Sequence, residues 1–200
     1  MTWIILGAVV LGIALGHWVI PAQYIQQLDY VTTTSLYLLL LAIGIDLGRQ
    51  KEVWVRLWNM GWKVLLIPVL VAVGSLAGAV VTGLFIGLPF NESSAIGAGF
   101  GWYSLSGILI AEIYNVETGT LAFMTNVARE LLTFITVPLV ARYIGRLSTV
   151  APGGATTMDT TLPVVTQATD SDMAVVAFIN GSILTALVPV LVPFFINIKL

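Results

Sequence analysis

Residues 64–88 read VLLIPVLVAVGSLAGAVVTGLFIGL, a stretch without one charged side chain. A transmembrane helix needs about 20 predominantly apolar residues. The rest of the chain agrees with this stretch, because 58% of its 200 residues are hydrophobic and only 9% are charged. Soluble domains carry about 25% charged residues. The composition therefore predicts an integral membrane protein.

Further apolar runs on both sides of this stretch predict an all-α bundle, since a helix satisfies its own backbone hydrogen bonds in lipid. The length of the chain predicts a single transmembrane domain. Within the third span, Gly74 and Gly78 have the GxxxG spacing that permits close helix contact and that also occurs by chance in apolar sequence. The predicted spans are about 3–20, 32–47, 64–88, 119–144 and 173–198.

Two segments are apolar enough for the membrane but are poor continuous helices. Residues 97–107 read GAGFGWYSLSG and residues 153–163 read GGATTMDTTLP. Glycine frees the backbone from helical geometry, and proline removes a hydrogen-bond donor. Irregular backbone at membrane depth is tolerated where it lines a cavity or is buried in protein. We therefore expect a multi-helix transporter bundle with two broken or re-entrant segments, about 95–115 and 153–172.

The basic residues predict a topology, because short cytoplasmic loops are rich in lysine and arginine. One basic cluster lies at 49–63, and Arg142 and Arg146 form a second. Both clusters face the cytoplasm if the segment 95–115 enters and leaves the membrane as a hairpin. The N-terminus then lies inside and the C-terminus outside.

Five ionisable residues lie inside apolar stretches, where a charge costs several kcal/mol unless it is paired, hydrated or neutral. They comprise four acids and one base, a formal sum of −3, which suits a cationic substrate, sodium or protons. The alternative for each is a structural ion pair or an interfacial charge. The five residues are Asp46, Glu112, Arg129, Glu130 and Asp159.

Polar groups near these charges complete the candidate binding site. Asn126, Arg129 and Glu130 share one helix face, which either lines a cavity or contacts a neighbouring helix. In the two interrupted segments, hydroxyls and an aromatic ring can bind a cation, although small residues there also permit close packing. These additional candidates are Tyr103, Ser104, Ser106, Thr156 and Thr160.

Several function classes find no support in the sequence. The chain has no cysteine, and its net charge is −2 without a basic patch for nucleic acid. It shows no cluster of metal ligands, no nucleophile–base pair and no cofactor motif. The sequence therefore predicts neither an enzyme nor a metal or cofactor site.

Four motifs resemble the bacterial lysine exporter family. They are GIDLG at 44–48, GFGWYSLSG at 99–107, ARE at 128–130 and GGATTMDTTLP at 153–163. The resemblance implies a multi-pass protein of the inner membrane that exports L-lysine and is driven by the proton gradient. It also implies kinship with folds of crossed, broken helices, and it marks Asp159 and Asp46 as the acidic positions.

The resemblance leaves three hypotheses open. The first is export of L-lysine or a related cationic amino acid by proton antiport, and the second is sodium-coupled transport of another small solute. The third is a membrane scaffold subunit that binds no substrate. Family members of this type are longer than the present chain, so we expect a homodimer or a second small membrane subunit to complete the transporter.

Overall fold

The computed structural model describes residues 63–198 continuously and isolated positions between 7 and 45. Two compact units divide the chain, Met1–Ile45 and Asp46–Leu200. The described positions of the first unit are helical except at Val19 and Pro21. Asp46 lies outside the described residues, and so do most positions of the predicted spans 3–20 and 32–47.

Residues 63–198 fold into seven α-helices and two 3₁₀ turns, with no strand in that range. The prediction of an all-α membrane protein is confirmed, because three of these helices are long and apolar enough to cross a membrane. The helices are α1 (Lys63–Ile86), α2 (Phe90–Gly97), α3 (Tyr103–Ile113), α4 (Val116–Tyr143), α5 (Val150–Gly153), α6 (Leu162–Ala168) and α7 (Ser171–Ile196), and the 3₁₀ turns are Arg146–Thr149 and Gly154–Met158.

After α1, the same order of elements occurs twice along the chain. Each time, an interrupted segment leads through a tight turn into a long helix, first α4 and then α7. The Asn115 side chain caps α4 by accepting a hydrogen bond from the Thr118 amide at 2.7 Å. The Asp170 side chain caps α7 by accepting from the Met173 amide at 3.0 Å. Each cap satisfies an amide that the first helical turn leaves unbonded.

The interrupted segments contain three of the five described residues with positive φ, and Gly87 and Gly145 are the other two. We call residues 98–102, between α2 and α3, the first break, and residues 154–161, between α5 and α6, the second break. Phe100, Gly101 and Gly154 have φ values of 48°, 98° and 59°, outside the helical region. Whether each interrupted segment is a re-entrant hairpin or a crossing stays a prediction.

Close contacts between helices depend on glycines other than the predicted GxxxG pair. A Cβ added to Gly119 of α4 would lie 2.6 Å from the Ala111 Cβ of α3, and one added to Gly181 of α7 would lie 2.3 Å from the Met158 amide nitrogen. A Cβ on Gly74 or Gly78 would meet no atom of the described residues within 4 Å. Glycine is therefore required where α4 and α7 approach the interrupted segments.

Candidate functional site

The two breaks lie against each other. The Ala155 amide donates a hydrogen bond to the Phe100 carbonyl at 2.8 Å, which joins the second break to the first. A Cβ on Gly154 would stand only 2.3 Å from the same carbonyl oxygen. The contact between the breaks therefore requires glycine at position 154, both for space and for its positive φ.

Asn126 of α4 holds the first break. Its side chain is buried, with 2% exposed. Its Oδ1 accepts from the Gly101 amide at 2.7 Å, and its Nδ2 donates to the Ile96 carbonyl at 3.2 Å and to the Ala122 carbonyl at 2.9 Å. Nδ2 also lies 3.4 Å from the Ser106 Oγ. Both ends of this amide are thus engaged in fixing the backbone from α2 to α3.

Asn180 of α7 holds the second break in a similar way. It is 1% exposed, and its Nδ2 donates to the Gly154 carbonyl at 3.1 Å and to the Thr157 Oγ1 at 3.0 Å. Thr157 Oγ1 in turn contacts the carbonyls of Gly154 and Ala177 at 2.7 and 2.8 Å. The Oδ1 of Asn180 is buried and has no hydrogen-bond partner among the residues that the structure describes.

Neither Asn180 nor Thr157 was among the residues predicted for the site. A signal for Asn180 was nevertheless present, since it is an amide inside an otherwise apolar predicted span, as Asn126 is. Polar side chains in membrane helices face protein or a cavity rather than lipid.

Arg129 of α4 lies where the two breaks meet. Its Nε donates to the Pro152 carbonyl at 2.8 Å and its Nη2 to the Ala151 carbonyl at 3.0 Å. Its guanidinium also approaches the second break, since a Cβ on Gly154 would come within 2.9 Å of Nη2. Arg129 thus presents a positive charge to the carbonyls of the short helix that precedes the second break.

Two clefts within the described region share the Arg129 side chain. A cleft of about 270 Å³ lies between α1, α2 and α4, and Asn126 and Thr82 contribute to its lining. A cleft of about 520 Å³ follows α4, where Thr133 and Thr136 add hydroxyls beside Arg129. Arg129 is therefore the one charged residue in the described lining of either cleft.

The predicted acids occupy different environments. Glu130 is 2% exposed on α4. Glu112 is exposed near the end of α3. Asp159 is exposed within the second break, where its carboxylate accepts a hydrogen bond from the Thr160 amide. The structure therefore places Asp159 at the predicted unwound segment, but as an exposed group rather than a buried one.

The predicted hydroxyl and aromatic residues mostly hold the breaks together. Tyr103 is 6% exposed and packs edge-to-face on Phe123 at a centroid distance of 5.4 Å. Ser106 Oγ donates to the Trp102 carbonyl at 2.8 Å, and Thr156 Oγ1 to the Gly153 carbonyl at 2.9 Å.

Two of the predicted hydroxyl residues differ from these. Ser104 is half-buried. Thr160 Oγ1 is buried and, like Asn180 Oδ1, has no hydrogen-bond partner among the described residues. One of these two unbonded oxygens thus belongs to the second break and the other to α7, which holds that break.

Comparison with known proteins confirms the resemblance to the lysine exporter family. The family described as "Lysine exporter LysO" matches residues 6–196. The lysine exporter LysO of Escherichia coli K12 is 36% identical over 189 residues, which are 94% of this chain and 62% of that protein. A putative lysine exporter of Haemophilus influenzae is 29% identical over 194 residues, 96% of each chain. No solved structure matches the chain. The chain thus spans less than two thirds of the E. coli relative, and it belongs to the lysine exporter family.

Proposed function

We propose that this protein exports L-lysine, or a related cationic amino acid, across the bacterial inner membrane in exchange for protons. The observation that carries the proposal is the contact between the two breaks, with Arg129 beside it. Unwound backbone offers carbonyl and amide groups to a zwitterionic substrate, as in other transporters with broken helices. Family membership supplies lysine as the substrate, since the E. coli relative is named a lysine exporter.

The substrate's charges suggest a division of roles. The Asp159 carboxylate, in the second break, binds the side-chain ammonium group. Arg129 binds the α-carboxylate from the wall of the clefts, because guanidinium groups match carboxylates in geometry and charge. Backbone groups of the second break near 156–160 bind the α-amino group.

Proton coupling follows from competition for the same carboxylates. A carboxylate that binds an ammonium group cannot also be protonated, so substrate and proton displace each other on opposite sides of the membrane. Asp159 acts here with Asp46 or Glu112, and the buried Glu130 is a further acid on α4. A homodimer, or a second small membrane subunit, completes the transport path.

The test is lysine-dependent proton movement in inside-out vesicles that carry the full chain. Asp159→Asn removes the charge but keeps the size, so we expect it to abolish this movement. Asp172→Asn is the matched control, because Asp172 is an exposed acid in the first turn of α7. Normal proton movement with Asp159→Asn would contradict the site. Lysine movement without proton movement in the wild type would contradict antiport.

A further inference from the structure

The two asparagines that hold the breaks differ in the hydrogen bonding of the side-chain oxygen Oδ1. At the first break, both Oδ1 and Nδ2 of Asn126 form hydrogen bonds to the protein. At the second break, Nδ2 of Asn180 forms hydrogen bonds, but its buried Oδ1 has no partner among the described residues. Each asparagine lies on the long helix that follows a break, which makes this difference informative.

The orientation of the Asn180 amide is fixed by its neighbours. The Gly154 carbonyl can only accept a hydrogen bond, so the Asn180 Nδ2 must face it at 3.1 Å. A flipped amide would place two acceptors, Oδ1 and the carbonyl oxygen, against each other. The open position is therefore an acceptor and needs a donor.

A buried acceptor without a hydrogen bond is costly within a membrane-spanning helix. Leaving a buried polar group without its hydrogen bond costs about 1–3 kcal/mol, and lipid offers no water to replace the bond. The Thr160 Oγ1 is a second buried oxygen without a hydrogen-bond partner among the described residues, and it belongs to the second break. Asn180 belongs to α7, and its Nδ2 is hydrogen-bonded to this break at Gly154 and Thr157. One unbonded oxygen on the break and another on the residue that holds it point to a position that a ligand fills.

We propose that the second break binds an ammonium group of the substrate through Asn180 Oδ1 and Thr160 Oγ1, beside the Asp159 carboxylate. A carboxylate cannot occupy the position, because Asn180 presents an acceptor and Asp159 a negative charge. The first break lacks such a position at Asn126, since a donor there would have to displace the Gly101 amide. The inference rests on the proposed function and adds Asn180 as a ligand contact.

Thr160→Val separates a ligand contact from a structural role. Valine has nearly the shape of threonine and removes only the hydroxyl, which makes no hydrogen bond to the described protein. If the hydroxyl serves no ligand, its removal leaves binding unchanged. If it binds the ammonium group, the affinity for L-lysine falls about tenfold or more, since hydrogen bonds to charged groups are among the stronger ones.

The experiment is calorimetric titration of the purified full chain with L-lysine, in sodium chloride and in choline chloride. Thr166→Val is the matched control, because the Thr166 Oγ1 donates to the Leu162 carbonyl within α6. We expect Thr160→Val to bind lysine at least tenfold more weakly than the wild type and Thr166→Val to bind it equally well. We also expect Thr160→Val without lysine to melt at the same temperature as the wild type or higher.

Each other outcome overturns a specific statement. Equal lysine affinity of Thr160→Val and wild type overturns the ammonium site and leaves the proposed function standing. Sodium binding that Thr160→Val weakens, with lysine affinity unchanged, replaces the ammonium group by a sodium ion. A wild type that binds neither lysine nor sodium overturns the proposed function and the site together.

Discussion

The segments around the two breaks look alike in sequence, since residues 97–107 and 153–163 both combine glycines with hydroxyl side chains. The hydrogen bonding of the two breaks nevertheless differs. At the first break, both ends of the Asn126 side-chain amide form hydrogen bonds, and these reach backbone groups at Gly101 and Ile96.

The second break is held by Asn180 of α7. Its Thr160 Oγ1 and the Asn180 Oδ1 have no hydrogen-bond partner among the described residues, and its Asp159 carboxylate is exposed. The proposed ammonium site rests on this difference in hydrogen bonding between the two breaks.

The contact between the breaks is where the largest effect of a mutation is expected. Gly154→Ala places a Cβ 2.3 Å from the Phe100 carbonyl at a residue with a φ of 59°. Steric overlap and backbone strain together cost on the order of 4 kcal/mol. We therefore expect a large loss of folded protein, measured as the midpoint of thermal unfolding.

Gly78→Ala is the control for this substitution, because its added methyl would meet nothing within 4 Å in the part of the chain that the structure describes. It should leave the unfolding midpoint close to that of the wild type. Similar midpoints for Gly154→Ala and Gly78→Ala would show that the two breaks do not touch as described.

Asn126→Ala tests whether the hydrogen bonds of Asn126 stabilise the first break. The substitution leaves the Gly101 amide and the Ile96 carbonyl without their partner, at about 1–3 kcal/mol for each buried group. We expect a lower unfolding temperature, second in size to the effect of Gly154→Ala. Because the Asn126 amide has no open atom, the lysine affinity of the folded fraction should change less than that of Thr160→Val. A variant as stable as the wild type would contradict the role of Asn126.

The helix caps that follow the two breaks provide a smaller comparison. Asn115→Ala should cost about 1 kcal/mol at any pH, since the Asn115 amide does not titrate. The cap at Asp170 is ionised, and the hydrogen bond from the Met173 amide, together with Arg146, lowers the pKa of its carboxyl. A lowered pKa stabilises the fold above the unfolded value of about 3.9, and this stabilisation is lost as the pH falls through the folded pKa.

The measurement for the caps is the unfolding midpoint between pH 6 and pH 3. Asp170→Asn should reduce the acid-induced fall of the midpoint, whereas Asn115→Ala should shift the whole curve down without changing its slope. If the unfolding midpoint of Asp170→Asn falls with acid as much as that of the wild type, the ionised cap at Asp170 does not cause the fall. The effect is the smallest of those expected, because the Asp170 carboxylate is only partly buried.

The sequence was sufficient to predict the all-α membrane class. Apolar runs report helices directly, and glycine-rich stretches report their interruption. Asn180 was not predicted as a site residue, because its contact with the second break depends on a hydrogen bond to the Gly154 carbonyl, 26 positions away in the chain. The same limit applies to the hydrogen bonds of Asn126 to the first break, which join residues 25 and 30 positions apart. The predicted role of Asn126 in binding stays a prediction.

Residue types alone could not distinguish the two breaks. Ser106 and Thr160 are both hydroxyl residues beside glycine-rich backbone, but Ser106 Oγ donates to the Trp102 carbonyl and Thr160 Oγ1 has no partner among the described residues. That difference is a property of atomic geometry. The position of Asp46 relative to the breaks stays a prediction, since Asp46 lies outside the described residues.

The central claim is that the ligand binds at the second break and that the first break is structural. The chain contains no cysteine, so single cysteines at Leu162→Cys and Ser104→Cys report on the two breaks separately. Both positions are half-buried and begin the helix that follows a break. The measurement is the rate of reaction with a small membrane-permeant maleimide, with and without L-lysine. We expect lysine to slow the reaction at position 162 and not at position 104, with L-leucine inactive at both. Protection at position 104 alone, or at neither position in a variant that still transports lysine, would contradict the account.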